Sequence, residues 1–124
     1  MENKKGDRME LFSVKKYYQE FDYPESFLKI LELNLLDYDV WYIMPKEQVE
    51  TRIKGLKQRY PNRRLVPFAR RDDSDDIACF EVGQAGRVFV IHDFASEGYE
   101  QRKIYEDFWE WFKDAVQEMI ISSS

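Results

Sequence analysis

Three strand-like segments follow one another in the second half of the chain, and they constrain the fold more than any other feature. They cover residues 65–69, 77–82 and 87–93, and they are rich in β-branched and aromatic residues. The connection between the last two is residues 83–86, in which Gly83 and Gly86 can take the positive φ angles of a tight hairpin. By the same logic, residues 70–76 form a longer hairpin loop between the first two. Consecutive strands with short connections predict an antiparallel sheet.

Apolar residues at helical spacing surround these strands. A first helix is predicted from the spacing of Leu11, Val14, Tyr18 and Phe21. Pro24 and Pro45 each suit the first turn of a further helix, and a β-branched and aromatic strand at residues 40–44 lies between those two helices. A last helix is predicted from a wide apolar stripe, which consists of Ile104, Tyr105, Phe108, Trp111, Phe112, Ala115, Val116 and Met119.

This order of elements predicts a single α+β domain, with a mainly antiparallel sheet of about four or more strands packed against helices. A chain of 124 residues that is 44% hydrophobic has the length and the apolar content of one domain with a core. We place the domain at residues 9–121 and expect the charged residues 1–8 to form a flexible N-terminal tail. One core is predicted between the sheet and the last helix, formed by Phe68, Phe80, Phe89, Ile91, Phe108 and Phe112.

Charge and cysteine content narrow the classes of function. The net charge of −5 argues against a general nucleic-acid binder, which needs a basic face for phosphate. No apolar run approaches the ~18 residues of a membrane helix, so no membrane partner is expected. Since Cys79 is the single cysteine, no internal disulfide can form, and a reducing cytoplasm is the simplest location.

The loop before the second of the three strands is acidic, with Asp72, Asp73, Asp75 and Asp76 close together. A calcium loop of the EF-hand type would need a following glycine and two flanking helices, and both are missing. Catalysis by paired carboxylates needs a desolvated group, whereas aspartates at a hairpin tip stay hydrated and ionised. The loop is therefore interpreted as a charged turn, and no metal or cofactor is expected.

His92 is the only histidine, so any histidine-based catalysis must use it. A nucleophilic set of Cys79, His92 and Asp93 is conceivable, but Cys79 lies in the middle of a strand, where cysteine more often serves as a small buried hydrophobe. We expect no catalytic residues. The alternative from this class is a small metal-dependent hydrolase that uses His92, Asp93 and the loop carboxylates.

Several short motifs resemble the SUKH superfamily of Smi/Knr-like domains. The matching segments are Pro67-Phe68-Ala69, Asp75-Asp76, Cys79-Phe80-Glu81, the strand that starts at Val88, and Asp107-Phe108-Trp109-Glu110-Trp111-Phe112. Upstream, Tyr23-Pro24-Glu25-Ser26-Phe27-Leu28 resembles the opening helix of the family and Val40-Trp41-Tyr42-Ile43 its first strand. Two features depart from the family pattern. Asp75 stands where the family usually has glycine, and no glycine-rich turn follows Leu33.

The resemblance implies a non-enzymatic, protein-binding α+β domain, most often a bacterial immunity protein that neutralises a cognate toxin. A regulatory scaffold, the role of fungal relatives in cell-wall synthesis, is the alternative. If the toxin is a nuclease with a basic surface, Asp72, Asp73, Asp75 and Asp76 are expected to face it, since opposite potentials speed association. If the loop is only a turn, the binding face is expected around Trp41 and Tyr42. The identity of the toxin and the oligomeric state stay open.

Overall fold

A computed structural model of the chain describes residues 13–123. The elements in chain order are α1 (Glu25–Glu32), β1 (Asp37–Tyr38), β2 (Trp41–Ile43), α2 (Lys46–Arg59), β3 (Leu65–Arg71), β4 (Asp76–Glu81), β5 (Val88–His92), β6 (Gln101–Tyr105) and α3 (Phe108–Ser123). The predicted tail at residues 1–8, the first residues of the predicted domain and Leu11 lie outside the described residues.

The six strands form one antiparallel sheet in the order β1-β2-β3-β4-β5-β6, so each strand pairs with its neighbour in the sequence. The register of β3 against β4 shifts between Pro67 and Ala69. Proline has no N–H for the ladder, and a bulge is one of the places where a strand accommodates it. The predicted α+β class with a mainly antiparallel sheet is confirmed.

The helices after Pro24 and Pro45 form as predicted, and each proline stands in extended backbone just before its helix. The prediction was wrong for Ile104 and Tyr105, which belong to strand β6 and pair with Phe89 and Val88 of β5. The last helix begins only at Phe108. Its start is fixed by the carboxylate of Asp107, which accepts the backbone N–H of Glu110 at 2.9 Å, the hydrogen bond of an N-cap.

The first helix predicted from the sequence does not form in its described part, residues 13–21, which consists of turns. The carbonyl oxygen of Val14 accepts the N–H groups of Tyr17 and Tyr18, and the chain then leaves the helical path. Lys15 Nζ donates to the carbonyl oxygen of Phe21 at 2.8 Å, which holds the end of the segment against its start. Val14, Tyr18 and Phe21 are nevertheless buried, so consecutive turns satisfy the spacing that predicted a helix.

The core has two parts, because alternate residues of a strand point to opposite faces of the sheet. The larger part contains Phe68, Phe80, Phe108 and Trp111, and the rings of Phe68 and Phe80 stack with centroids 4.5 Å apart. Phe112 packs against it, partly buried. The prediction of a single core was wrong for Phe89 and Ile91, which lie in a second cluster with Leu56, Tyr60, Leu65, Ile77 and Cys79.

Candidate functional site

The acidic loop projects from the sheet between β3 and β4, and neighbouring backbone holds it on both sides. Asp72, Asp73 and Asp75 are exposed. The N–H of Asp72 donates to the carbonyl oxygen of Val40 at 2.8 Å, and the N–H of Asp93 donates to the carbonyl oxygen of Asp75 at 3.1 Å. These bonds fix the backbone while the three carboxylates stay in contact with solvent.

Asp73 is tied to the base of the loop by a two-point ion pair. Arg71 Nε and Nη2 lie 2.8 and 3.1 Å from the two carboxylate oxygens of Asp73. Arg71 Nη1 also donates to Glu118 of α3 at 3.0 Å. The hydrogen bonds from Arg71 lower the pKa of Asp73, so this carboxylate keeps its charge below the usual titration range of aspartate.

Asp76 has a different position from the other three aspartates. It lies within β4, it is half-buried, and its Oδ1 is 2.8 Å from His92 Nδ1 in the adjacent strand β5. Arg102 Nε of β6 lies 3.8 Å from the same oxygen. Asp76 therefore links three strands, and its carboxylate is less available to a partner than those of the loop.

Trp41 and Tyr42 lie next to the loop but face opposite sides of the sheet. Trp41 is only 5% exposed, packs edge-to-face on Trp111 and donates its indole N–H to Glu118 at 3.2 Å. Tyr42 is half-buried, and the guanidinium carbon of Arg70 lies 5.7 Å from the centre of its ring. Of the two aromatic residues predicted for a binding face, only Tyr42 has a surface that a partner could contact.

Two further aspartates, which were not predicted from the sequence, lie beside Tyr42. Asp37 and Asp39 are exposed, and with Asp72 and Tyr42 they line a cavity of about 440 Å³. Asp39 has a φ of 72°, and its N–H donates to Asp37 Oδ1 at 2.9 Å, so a tight local turn presents both side chains. The signal in the sequence is the repeat of aspartate two positions apart just before a strand.

These five residues form one region, which we call the acidic surface: Asp37, Asp39, Asp72, Asp73 and Asp75. No group of three or more histidine, cysteine, aspartate or glutamate side chains within residues 13–123 is arranged to hold a metal ion. The arrangement offers a patch of negative charge with the ring of Tyr42 beside Asp37, Asp39 and Asp72, which suits electrostatic recognition of a basic surface.

Asp93 is buried in an ion pair with two arginines of α2. Arg52 Nη1 donates to its Oδ2 at 2.7 Å, and Arg59 Nε and Nη2 donate to its two oxygens at 2.8 Å. Burial alone would raise the pKa of Asp93, but the hydrogen bonds from Arg59 and Arg52 outweigh it and hold the pKa below the usual value. Asp93 is thus a structural group that is ionised at neutral pH.

The structure does not bring Cys79, His92 and Asp93 together as a nucleophilic set. Cys79 is fully buried in the second cluster beside Phe89, and burial raises the pKa of its thiol well above the usual value. His92 pairs with Asp76, and by strand alternation both lie on the face of the sheet opposite to Cys79. The carboxylate of Asp93 is occupied by Arg52 and Arg59 rather than by His92.

Comparison with known proteins gives one match. The sequence model of the SMI1 / KNR4 family (SUKH-1) matches residues 9–114, most of the chain. No curated protein and no solved structure matches the chain. No helix within residues 13–123 combines the length and the apolar character needed to cross a membrane.

Proposed function

The chain belongs to the SMI1 / KNR4 family (SUKH-1), and from this membership we propose that it is an immunity protein that neutralises a cognate toxin in the cytoplasm. Members of this family are protein-interaction domains and are generally non-catalytic. On this proposal the toxin is a nuclease, and the domain acts by covering the basic surface that would otherwise bind the phosphates of its substrate.

The acidic surface is the observation that carries the proposal. The aspartates come from β1, from the turn that follows it and from the loop after β3. Asp37, Asp39 and Asp72 line one cavity with Tyr42, and the exposed Asp73 and Asp75 continue the same loop. A cluster of one sign of charge steers a partner of the opposite sign and raises the association rate. Aromatic side chains such as Tyr42 are enriched where binding energy concentrates, because a rigid ring buries a large area at little entropic loss.

The support beneath the surface also favours a binding role. Arg71 connects Asp73 to Glu118 of α3, and the ring of Trp41 lies 5.4 Å from the Arg71 guanidinium carbon. A loop held in this way loses little conformational freedom when it binds, so more of the contact energy is available as affinity. Trp41 and Asp76 act on this proposal as supports for the surface.

The test is the binding kinetics between the domain and the toxin domain encoded beside it. The variant carries Asp72→Asn, Asp73→Asn and Asp75→Asn, which removes charge and keeps the turn-forming amides. The matched control carries Asp22→Asn, Glu25→Gln and Glu106→Gln, which removes the same charge away from the acidic surface. We expect the variant to bind at least about 10-fold more weakly, mainly through a slower on-rate, and the control to stay within about 2-fold.

High salt separates steering from contact. At ~1 M salt the Debye length is about 3 Å, so the wild type should lose most of its advantage in on-rate over the variant. Equal affinities of variant and wild type at low salt would contradict the role of the acidic surface. A wild type that does not bind the neighbouring toxin at all would reject the immunity function and favour the regulatory scaffold.

A further inference from the structure

A second recessed region lies against α2 and adjoins the acidic surface at Arg70, which approaches the ring of Tyr42. It is a cleft of about 510 Å³, and we call it the arginine cleft after the residues that dominate it. Its principal lining residues are Gln48, Arg52, Gly55 and Arg59 of α2, together with Arg70 of β3 and Phe94 after β5. The proposed immunity function uses none of these side chains.

Phe94 is the most unusual residue of the cleft. It is 61% exposed and has a φ of 72°, a left-handed conformation that is rare and unfavourable for a bulky side chain. Its N–H donates to Oδ1 of the buried Asp93 at 2.8 Å, which ties the backbone at this position to the Asp93 ion pair. The result is an aromatic ring held in solvent, with the Arg59 guanidinium carbon 4.1 Å from its centre.

The arginines keep donors for a further anion. Arg59 directs Nε and Nη2 to Asp93, and Arg52 directs only Nη1 to it, although a guanidinium has five N–H donors. Within residues 13–123, Arg70 forms no ion pair and only approaches the ring of Tyr42. Against the charges of Asp93 and Glu47, the three guanidiniums leave the cleft with a positive surplus.

Gly55 is the residue that allows this arrangement. A Cβ atom at position 55 would lie 2.6 Å from Arg59 Nη2 and 2.8 Å from Nη1, which is closer than real contacts allow. Glycine is less favourable than alanine in a helix interior, and any larger residue here would shift the end of the Arg59 side chain. It leaves room for the Arg59 side chain to fold back along α2 towards Asp93 and Phe94.

Gln48 supplies a hydrogen-bond acceptor, whereas the arginines supply donors. Its Oε1 is buried and has no hydrogen-bond partner among the described residues. A buried acceptor without a donor is unfavourable, so the site is suited to a ligand that brings an N–H group. The cleft therefore combines donors for a carboxylate, an acceptor for an amide and an exposed ring for apolar contact.

We propose that the arginine cleft binds an aspartate or glutamate side chain carried on a peptide segment of a protein partner. Arg52 and Arg70 receive the carboxylate, Gln48 Oε1 accepts a peptide N–H beside it, and Phe94 packs against the flanking chain. The planar fork of arginine matches a carboxylate at two points, which gives this site a preference for acidic side chains. Phe94, strained and exposed, is the apolar anchor.

The experiment is a titration of the ¹⁵N-labelled protein with the capped peptide acetyl-Leu-Glu-Leu-amide, whose leucines give Phe94 an apolar side chain to contact, followed by NMR. We expect saturable shifts at the Phe94 amide and the arginine Nε–H signals, with a dissociation constant in the millimolar range. The same peptide with glutamine in place of glutamate should bind at least about 5-fold more weakly. The capped ends ensure that a terminal carboxylate cannot take the place of the side chain.

Two variants test the residues without endangering the fold. Arg70→Gln removes a cation that has no ion pair in residues 13–123, and Phe94→Gly removes the ring at a φ that glycine accepts readily. Each should weaken peptide binding at least about 5-fold. The matched control for Phe94→Gly is Ala85→Gly, which also places glycine at a positive φ, here 54° in the hairpin between β4 and β5. It should leave peptide binding unchanged.

Three results would overturn the proposal: no saturable shift, equal binding of the glutamine peptide, or binding of inorganic phosphate at least as tight as that of the peptide. The last would identify a phosphate site. The triple variant Asp72→Asn, Asp73→Asn and Asp75→Asn should bind the peptide as well as the wild type does. Loss of toxin binding in that variant with retained peptide binding would show that the two sites are independent.

Discussion

Asp75 and Asp93 are neighbours in space, since the N–H of Asp93 donates to the carbonyl oxygen of Asp75 at 3.1 Å, but their carboxylates have opposite environments. The side chain of Asp93 has no exposed surface and receives hydrogen bonds from Arg52 and Arg59. The side chain of Asp75 is in solvent. Identical chemistry thus gives one group that the fold depends on and one that the fold can spare.

The physical difference is desolvation. A buried charge that loses its partner leaves the opposite charge uncompensated, and this is strongly destabilising. An exposed charge interacts through water and contributes about 0–1 kcal/mol even in an ion pair such as that of Asp73 with Arg71. Only the exposed set can be selected for binding without a loss of stability, and this supports the assignment of recognition to the acidic surface.

The largest expected effect is that of Asp93→Asn. Removal of one partner of a buried pair should lower the free energy of unfolding by about 3–5 kcal/mol, because Arg52 and Arg59 would remain without their counter-ion. The measurement is chemical denaturation at neutral pH, with Asp75→Asn as the matched control, for which we expect a change within about 0.5 kcal/mol. Equal effects of the two substitutions would remove the distinction between them.

Acid should reveal part of the same difference. The folded-state pKa of Asp93 is below its unfolded value, so its contribution to stability is complete above the unfolded pKa of about 3.9 and is lost as pH falls through the folded value. Denaturation of the wild type and of Asp93→Asn between pH 7 and pH 2 should therefore show a gap that narrows below about pH 4. A gap that widens in acid would contradict the lowered pKa.

The smallest expected effect on stability belongs to the triple variant of the loop. With Asp72, Asp73 and Asp75 all changed to asparagine, the free energy of unfolding should change by no more than about 0.5 kcal/mol. Arg71 keeps Glu118 as a partner after Asp73 is neutralised. A loss above about 1.5 kcal/mol in the same denaturation assay would show that these carboxylates are structural, as Asp93 is.

Much of the fold could be predicted from local pattern. The helices after Pro24 and Pro45 and the strands β2 to β5 have apolar residues at the spacing of a buried face, and that spacing is visible in the sequence. Strand β6 lacks that spacing: its residues are largely exposed, and backbone pairing to β5 holds it in the sheet. Between Val14 and Phe21, tertiary contacts determine the conformation. The residues at helical spacing are buried there, but in turns rather than in a helix.

The candidate sites were predictable only in part. The loop aspartates are adjacent in the sequence, so their clustering needed no knowledge of the fold. Asp93 pairs with Arg52 and Arg59, which precede it by 41 and 34 positions in the sequence. Only the packing of α2 on the sheet brings these residues together. One local signal was present: Gly55 stands in the middle of a predicted helix, where glycine usually has a packing reason.

The sequential order of the strands has a consequence for the folding rate. Each strand from β3 to β6 pairs with the strand just before or after it, so these strands can assemble as successive hairpins with small loop-closure entropy. Pairing of β2 with β3 requires the chain to pass through the intervening helix α2 and return. The contacts of α3 with β1 join residues that are far apart in the sequence. We therefore expect the hairpins from β3 to β6 to form early in folding. Packing of α3 over the aromatic core is expected to be the last step.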